Sequence, residues 1–199
     1  METPHQLPPT TAETAPAVSA VRGMVFVSGR AWMRERGLDA RYEASLAPSV
    51  RPRLHTLTAL EWISLDDALV AYEACDALGL AESEQRALGG TVSAANNGVV
   101  LETIARLAGG FGVTPWAPLK SAHKVWLRSN RGGAVAVYRI TERNARIEIW
   151  QTPLCVSPFF RTSLCGAMEH GLRLFRRSAR VTELPRALVP HGMAMDASW

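Results

Sequence analysis

The stretch 132–184 constrains the fold more than any other part of this sequence, because its pattern is that of two strands, a helix and a third strand. Apolar alternation in 134–140 and 146–152, around a polar turn, predicts a hairpin. A serine followed by a proline then opens a predicted helix over 158–175, and 179–184 closes the unit as a strand. This ending predicts an α+β fold with a mostly antiparallel sheet and helices packed on it.

Composition divides the chain into three parts. Residues 1–20 hold four prolines and no aromatic residue, so they cannot bury enough apolar surface to offset the entropy of ordering, and we predict a disordered tail. Residues 21–185 are of ordinary length for one domain, which we predict to be a single α+β unit. Residues 186–199 follow Pro185, contain Pro190 and Gly192, and are predicted to fray as a C-terminal tail.

The first half of the predicted domain combines one short strand with several helices. The strand is expected at 21–27, where both faces are apolar. Ser28 and Ser64 supply N-cap hydroxyls for two helices, and Gly89-Gly90 predicts a kink in a third, since glycine costs about 1 kcal/mol relative to alanine in a helix. The predicted helices occupy 29–36, 64–78, 83–108 and 115–129.

The composition is that of a soluble globular protein. No apolar run approaches the roughly 18–20 residues that span a bilayer, and the N-terminus lacks the basic and apolar regions of a signal peptide. The three cysteines, Cys75, Cys155 and Cys165, are widely spaced, as is typical of reduced thiols. We therefore expect a cytoplasmic protein with no membrane span.

Charge is distributed unevenly along the chain. Residues 113–186 hold 13 basic and 4 acidic side chains, although the net charge of the whole chain is only +4. Four arginines cluster after the last predicted helix, and they could attract an acidic partner. We do not expect nucleic-acid binding, because the cluster has no interleaved aromatic platform and no recognisable binding motif. The four are Arg173, Arg176, Arg177 and Arg180.

Several side chains suggest a site, but none completes a catalytic or metal-binding set. His123, on an amphipathic helix, could ligate haem, yet a partly buried structural histidine explains it as well. Cys155, Cys165 and His170 lack the fourth ligand of a structural zinc site, and no third group orients a nucleophilic cysteine. We predict no catalytic residue, no metal and no cofactor.

Several motifs resemble those of an uncharacterised family of proteins of similar length that is expanded in myxobacteria. They are Trp126-Leu-Arg-Ser-Asn-Arg-Gly-Gly, Ile147-Glu-Ile-Trp150, Leu164-Cys165-Gly166-Ala167-Met168-Glu169 and Ala179-Arg-Val-Thr-Glu183. The strand-strand-helix-strand ending is also similar to a wider group containing vinyl-reductase-type sensor domains, TRAPP transport subunits and haem–nitric oxide-binding domains. That resemblance implies an α/β module that binds a small ligand or a protein partner and often dimerises.

The sequence departs from two of these families at their ligand motifs. Vinyl-reductase-type sensors have further cysteines after the last strand, whereas this chain has none after Cys165. Haem–nitric oxide-binding domains carry Tyr-x-Ser-x-Arg, and Tyr138-Arg-Ile-Thr-Glu-Arg143 does not match it. The resemblance therefore implies neither metal nor haem for this chain.

The main functional prediction is a non-enzymatic regulatory or adaptor module that acts in signalling through a protein partner, with a homodimer expected. The six tryptophans favour large contact surfaces, and Trp116, His123 and Trp126 join the four arginines as candidate binding residues. The alternative is a small-ligand sensor with an apolar cavity of at least about 300 Å³. A third alternative is nucleic-acid binding through the basic half, which would show as salt-dependent affinity.

Overall fold

The computed structural model describes residues 5–6, 14–108, 114–184 and 191–199, with side chains described throughout except at residues 5–6 and 97–108. The helices are α1 (Gly23–Glu35), α2 (Asp39–Ser45), α3 (Arg51–Thr56), α4 (Leu65–Asp76), α5 (Glu82–Ala108), α6 (Trp116–Leu119), α7 (Ala122–Ser129) and α8 (Pro158–Arg173). The strands are β1 (His5–Gln6), β2 (Ala20–Arg22), β3 (Trp62–Ser64), β4 (Asn130–Arg131), β5 (Ala134–Arg139), β6 (Asn144–Trp150), β7 (Arg180–Leu184) and β8 (Met193–Ser198).

The main sheet has five antiparallel strands in the order β1-β5-β6-β8-β7. In its centre Val137 pairs with Ile147, which pairs with Met195 on its other side. Alternate residues of β5 point to opposite faces, so Val135 and Val137 join the main core with the helices, while Ala136 joins a smaller cluster on the other face. The predicted α+β class, with its strand-strand-helix-strand ending, is confirmed.

Two predicted helix starts agree with the structure because their capping chemistry is local. The Ser64 hydroxyl accepts a hydrogen bond from the Asp67 N–H at 3.2 Å, at the start of α4. The Ser157 hydroxyl accepts one from the Phe160 N–H at 3.0 Å, with Pro158 as the first residue of α8. Each side chain satisfies a backbone donor that the helix itself cannot pair.

The strand predicted at 21–27 is shorter than expected. It ends at Arg22, and α1 begins at Gly23, so the prediction that Ser28 caps this helix is wrong. The helix starts early because the Gly23 N–H donates to the Glu61 carbonyl and a Cβ at Gly23 would overlap the carbonyl oxygen of Thr58. The remaining strand, β2, pairs with β3 and β4 in a small second sheet.

Both chain ends contribute to the fold more than their composition suggested. The prediction of a fraying tail is wrong for residues 193–198, because β8 lies between β6 and β7 and alternate residues from Met193 are buried. The predicted disorder at 1–20 is wrong for Val18, which is buried and whose N–H donates to the Gln151 carbonyl. Residues 7–13, from the same predicted tail, lie outside the described residues.

Two predicted helices also differ from the observed ones. The sequence predicted a kink or break at Gly89-Gly90, and the break is wrong, because α5 continues through both glycines. The single helix predicted over 115–129 is divided at Lys120-Ser121 into α6 and α7. Within the described ranges, no helix combines the length and the apolar character that crossing a bilayer requires.

Candidate functional site

A cavity of about 340 Å³ lies between the N-terminal helices and α8. Helices α1, α4 and α5 supply one part of its described wall and α6, α7 and α8 another, with single residues from β2, α2 and β4. Its described lining is predominantly apolar and aromatic, as is usual for a small-molecule site. The large side chains in the wall include Phe26, Met33, Tyr72, Leu88, Trp126, Phe160, Met168 and Leu172.

Helices α5 and α8, which both line the cavity, are in direct backbone contact. A Cβ at Gly89 would overlap the carbonyl oxygen of Ser163, and a Cβ at Gly166 would overlap that of Arg86. Gly90 lies on a different side, where a Cβ would stand 3.6 Å from the Cβ of His170, an ordinary contact distance. The first glycine of the pair at 89–90 therefore serves close packing rather than a helix break.

An ion-pair cluster around Glu169 fixes the same two helices to β7. Glu169 Oε2 accepts from Arg86 Nη2 at 2.6 Å and from the Val181 N–H at 3.0 Å, and Arg86 also donates to the Val181 carbonyl at 2.7 Å. Burial would raise the pKa of Glu169, but the Val181 N–H and the Arg86 guanidinium outweigh it and hold that pKa below its usual range. The carboxylate thus stays charged and joins three elements.

Missing side chains account for part of the cavity. Gly29 on α1 and Gly171 on α8 both line it. Among the described residues, a Cβ at Gly171 would meet no atom within 4 Å, and one at Gly29 would meet only Leu88 Cδ2, at 3.9 Å. A side chain at either position would therefore enter open space, so the sequence leaves this volume unfilled.

Some of the polar side chains that line the cavity are already paired within the chain. Arg30 donates to Glu43 Oε1 at 2.7 Å and to the Leu54 carbonyl at 3.0 Å, and the Asn130 amide donates to the Trp126 carbonyl at 3.2 Å. Two buried atoms of lining residues have no hydrogen-bond partner: Asn96 Oδ1, and Arg30 Nε, whose guanidinium is nonetheless paired with Glu43. An unpaired buried carbonyl is costly, and here it belongs to a residue that lines the cavity.

Three ionisable groups in the wall are held in their neutral forms. Burial raises the pKa of the Tyr42 and Tyr72 hydroxyls and of the Cys75 thiol well above their ordinary values. Tyr72 also packs edge-on against Phe160, with ring centroids 5.1 Å apart. These residues therefore contribute an uncharged surface.

The structure separates the three residues that the sequence grouped on one helical segment. Trp126 lines the cavity, and its Nε1 donates to the Gly132 carbonyl at 2.9 Å. His123 lies on the same helix but its Nδ1 accepts from the Val135 N–H of β5, at 3.3 Å. Trp116 packs edge-on against Trp199, with ring centroids 4.8 Å apart. Of the three, only Trp126 contacts the cavity.

The predicted arginine cluster divides in a similar way. Arg173 pairs with Glu169 at 2.6 Å, and Arg180 approaches the same carboxylate at 3.7 Å. Arg176 and Arg177 are exposed beyond the end of α8. None of these four arginines is among the described residues that line the cavity.

The cysteines lie in packed surroundings. Cys155 and Cys165 are buried, and burial raises the pKa of the Cys165 thiol to about 12. In the part of the chain that the structure describes, no three His, Cys, Asp or Glu side chains lie close enough to hold a metal ion.

Sequence reasoning missed Gly29, Gly171 and Asn96 as parts of a site. The available signal was weak, because a glycine inside a helix predicts only local destabilisation. Asn96 lies one turn after Ser93, and both line the cavity from the same face of α5. A pair of polar residues at that spacing is equally typical of a solvated helix face.

Solved structures similar to this chain are H-NOX (haem–nitric oxide-binding) proteins. A variant of the Fe(II) unliganded H-NOX protein from K. algicida has a TM-score of 0.61 at 9% identity, covering 89% of this chain and 95% of that one. A variant H-NOX structure from T. Tengcongensis has a TM-score of 0.56 at 15% identity, covering 88% and 94%. An oxygen-binding H-NOX domain related to soluble guanylate cyclases has a TM-score of 0.56 at 14% identity, covering 88% and 92%.

Sequence comparison adds no family to this result. No family model matches the chain, and no curated protein matches it significantly. The resemblance to haem–nitric oxide-binding domains is supported by the fold, whereas the resemblances to the myxobacterial family, to vinyl-reductase-type sensors and to TRAPP subunits stay predictions. At these identities the similarity concerns architecture alone, and the chain has the fold of H-NOX domains.

Proposed function

We propose that this chain is a non-enzymatic sensor domain in a signalling pathway and that it binds a small apolar ligand in the cavity between α1, α5, α7 and α8. The observation that carries this proposal is the cavity itself, because its volume of about 340 Å³ falls in the usual range for small-molecule sites, about 300–1,000 Å³. The similar solved structures agree with a ligand-binding role, since they are named as H-NOX proteins and one is an oxygen complex.

The position of the cavity suits a sensor. Its wall combines residues of the N-terminal helices, such as Phe26, with residues of α8, such as Leu172, which packs in the core with the sheet. A ligand held between two such layers contacts both of them. It can therefore favour one arrangement of the layers over another, which is the physical requirement for a ligand-driven switch.

A protein adaptor that forms a homodimer is the weaker proposal. It rested on the tryptophans as contact surfaces, but every tryptophan in the described residues is buried or partly buried. Trp116 contacts Trp199, and Trp126 bonds to the Gly132 carbonyl. These side chains stabilise the interior of the chain, so they give no separate support to a docking surface.

The proposal is tested by titrating an uncharged fluorescent probe, N-phenyl-1-naphthylamine, into the purified chain. We expect saturable binding of one probe per chain. In the Gly171→Leu variant the new side chain occupies the open space at this position, so the affinity should fall at least about tenfold, equivalent to about 1.4 kcal/mol.

The matched controls separate filling of the cavity from added hydrophobicity. Gly171→Ala adds only one methyl group and should bind the probe more tightly than Gly171→Leu. Arg177→Leu adds an exposed leucine beyond the same helix and should bind as the wild type does. Equal affinity in Gly171→Leu and wild type, or no saturable binding at all, would show that the cavity is not the binding site.

A further inference from the structure

The H-NOX fold raises the question of whether this cavity fits haem. Haem iron in proteins is held by histidine, cysteine thiolate, methionine or tyrosine. The described lining contains no histidine. Two histidines adjoin lining residues, His170 beside Gly171 and His123 beside Ala122. The His170 ring packs against Gly90 of α5, 3.8 Å from a Cβ placed there. His123 accepts the Val135 N–H at Nδ1, so its ring hydrogen lies on Nε2. A histidine that binds a metal normally does the reverse and donates its other N–H, so His123 is not arranged to ligate iron.

The other candidate iron ligands in the wall do not fit either. Cys75 ligates iron only as the thiolate, and burial raises the pKa of its thiol well above the ordinary value, so forming that thiolate here is unfavourable. Burial likewise keeps the Tyr42 and Tyr72 hydroxyls neutral. Met33 and Met168 are thioethers, and among haem proteins methionine serves beside a histidine.

The charges around the cavity also oppose haem, which carries two propionate groups. Arg30 is the only basic residue in the described lining. Its guanidinium is already paired with Glu43 at 2.7 Å and bonded to the Leu54 carbonyl at 3.0 Å. A carboxylate buried here would lack a free counter-ion, which is strongly unfavourable. No Asp or Glu is among the described lining residues, so a cationic ligand is disfavoured for the same reason.

One polar group in the wall points to the ligand class. Asn96 Oδ1 and Arg30 Nε are both buried without a hydrogen-bond partner. The guanidinium of Arg30 is already ion-paired with Glu43, whereas Asn96 Oδ1 can be satisfied by a donor that a ligand brings. Ser93 lines the cavity from the same face of α5 and can donate to, or accept from, the same ligand group. An uncharged hydroxyl fits this pair, since it donates to one side chain and accepts from the other.

We infer that the cavity binds an uncharged apolar molecule bearing a hydroxyl group, which donates to Asn96 Oδ1, and that it does not bind haem. This inference rests on the proposed function, because it specifies the ligand of the same cavity. The expected absence of haem binding distinguishes this chain from the H-NOX structures whose fold it shares.

The test compares two probes that differ in a single donor, 1-naphthol and 1-methoxynaphthalene, by isothermal titration calorimetry. We expect the wild type to bind 1-naphthol about fivefold more tightly, the gain from a typical net hydrogen bond. In Asn96→Leu the two probes should bind with about equal affinity, while 1-methoxynaphthalene binds as before or more tightly. Thr91→Leu, an exposed position on the same helix, should keep the wild-type preference.

A second measurement guards against misfolding and tests haem directly. Asn96→Ala should reproduce the loss of preference, with a cooperative unfolding transition that shows the variant is folded. Haemin added to the wild type should give no stoichiometric Soret band of a ligated haem. Equal affinity of the wild type for the two naphthalenes, or such a Soret band, would overturn the inference. The proposed function fails separately, if N-phenyl-1-naphthylamine itself does not bind.

Discussion

Helix α8 uses its glycines in two different ways. At Gly166, and at Gly89 opposite it on α5, the absence of a side chain lets the two backbones touch. At Gly171 the same absence leaves open space that belongs to the cavity. The role of each glycine therefore depends on what lies opposite it. In one region this is a carbonyl of the partner helix, and in the other no atom of the described residues lies within 4 Å. The first region is a close contact between two helix backbones, and the second is part of the cavity that we propose holds a ligand.

The largest effect is expected where the helices touch. Gly89→Ala would force its methyl group onto the carbonyl oxygen of Ser163, and the helices would have to separate. We expect the free energy of unfolding in denaturant to fall by about 3 kcal/mol. The neighbouring variant Gly90→Ala is the control, because its methyl group meets His170 at an ordinary distance and alanine favours a helix by about 1 kcal/mol. If the Gly89→Ala protein were as stable as Gly90→Ala, the backbones of α5 and α8 would not be in direct contact at Gly89.

A smaller loss is expected from the ion-pair cluster that fixes the same two helices to β7. Glu169→Gln keeps the shape of the side chain but removes the charge that pairs with Arg86 and Arg173. Because the Glu169 side chain is only 10% exposed, we expect the free energy of unfolding to fall by about 2 kcal/mol at neutral pH.

The pH dependence distinguishes this loss from a packing defect. The pKa of Glu169 is lowered in the folded chain, so its contribution to stability is full above the ordinary carboxyl pKa and is lost as the pH falls through the folded pKa. Urea titrations at a series of pH values should therefore show the wild type and Glu169→Gln converging in acid. A constant difference at every pH would mean that the charge of Glu169 is not what stabilises this cluster.

The smallest effect, of opposite sign, is expected at the cavity. Gly171→Ala places its methyl group in open space and raises helix propensity, so the free energy of unfolding should rise by about 0.5–1 kcal/mol. The same substitution at Gly166, where the carbonyl of Arg86 blocks the position, should lower it. Thermal or denaturant unfolding of the two variants side by side measures this contrast, and a loss of stability in both would mean that Gly171 does not face open space.

Local signals allowed much of the fold to be predicted from the sequence. The β5–β6 hairpin follows from alternation, and the starts of α4 and α8 follow from the hydroxyls of Ser64 and Ser157, because each of these depends on neighbouring residues. Strand β8 was missed even though alternate residues from Met193 are buried. Its place between β6 and β7 is decided by distant partners, and the proline and glycine before it are typical of a tail.

The site was less predictable than the fold for a physical reason. Part of the cavity exists because Gly29 and Gly171, on two different helices, lack side chains. No sequence pattern indicates that glycines on separate helices line the same cavity. His123 and Trp126 were equal candidates by sequence, three residues apart on one helix. Only the packing of α7 against β5 turns the first toward a backbone N–H and the second toward the cavity.

The central claim, that the cavity is a binding site for a small uncharged ligand, is tested most directly by native mass spectrometry of the full chain equilibrated with 1-naphthol. We predict a complex of one 1-naphthol per wild-type chain and its loss in Gly171→Leu, while Arg177→Leu keeps it. An adduct that persists in Gly171→Leu, or a wild-type chain that takes up no 1-naphthol at saturating concentration, would contradict the claim.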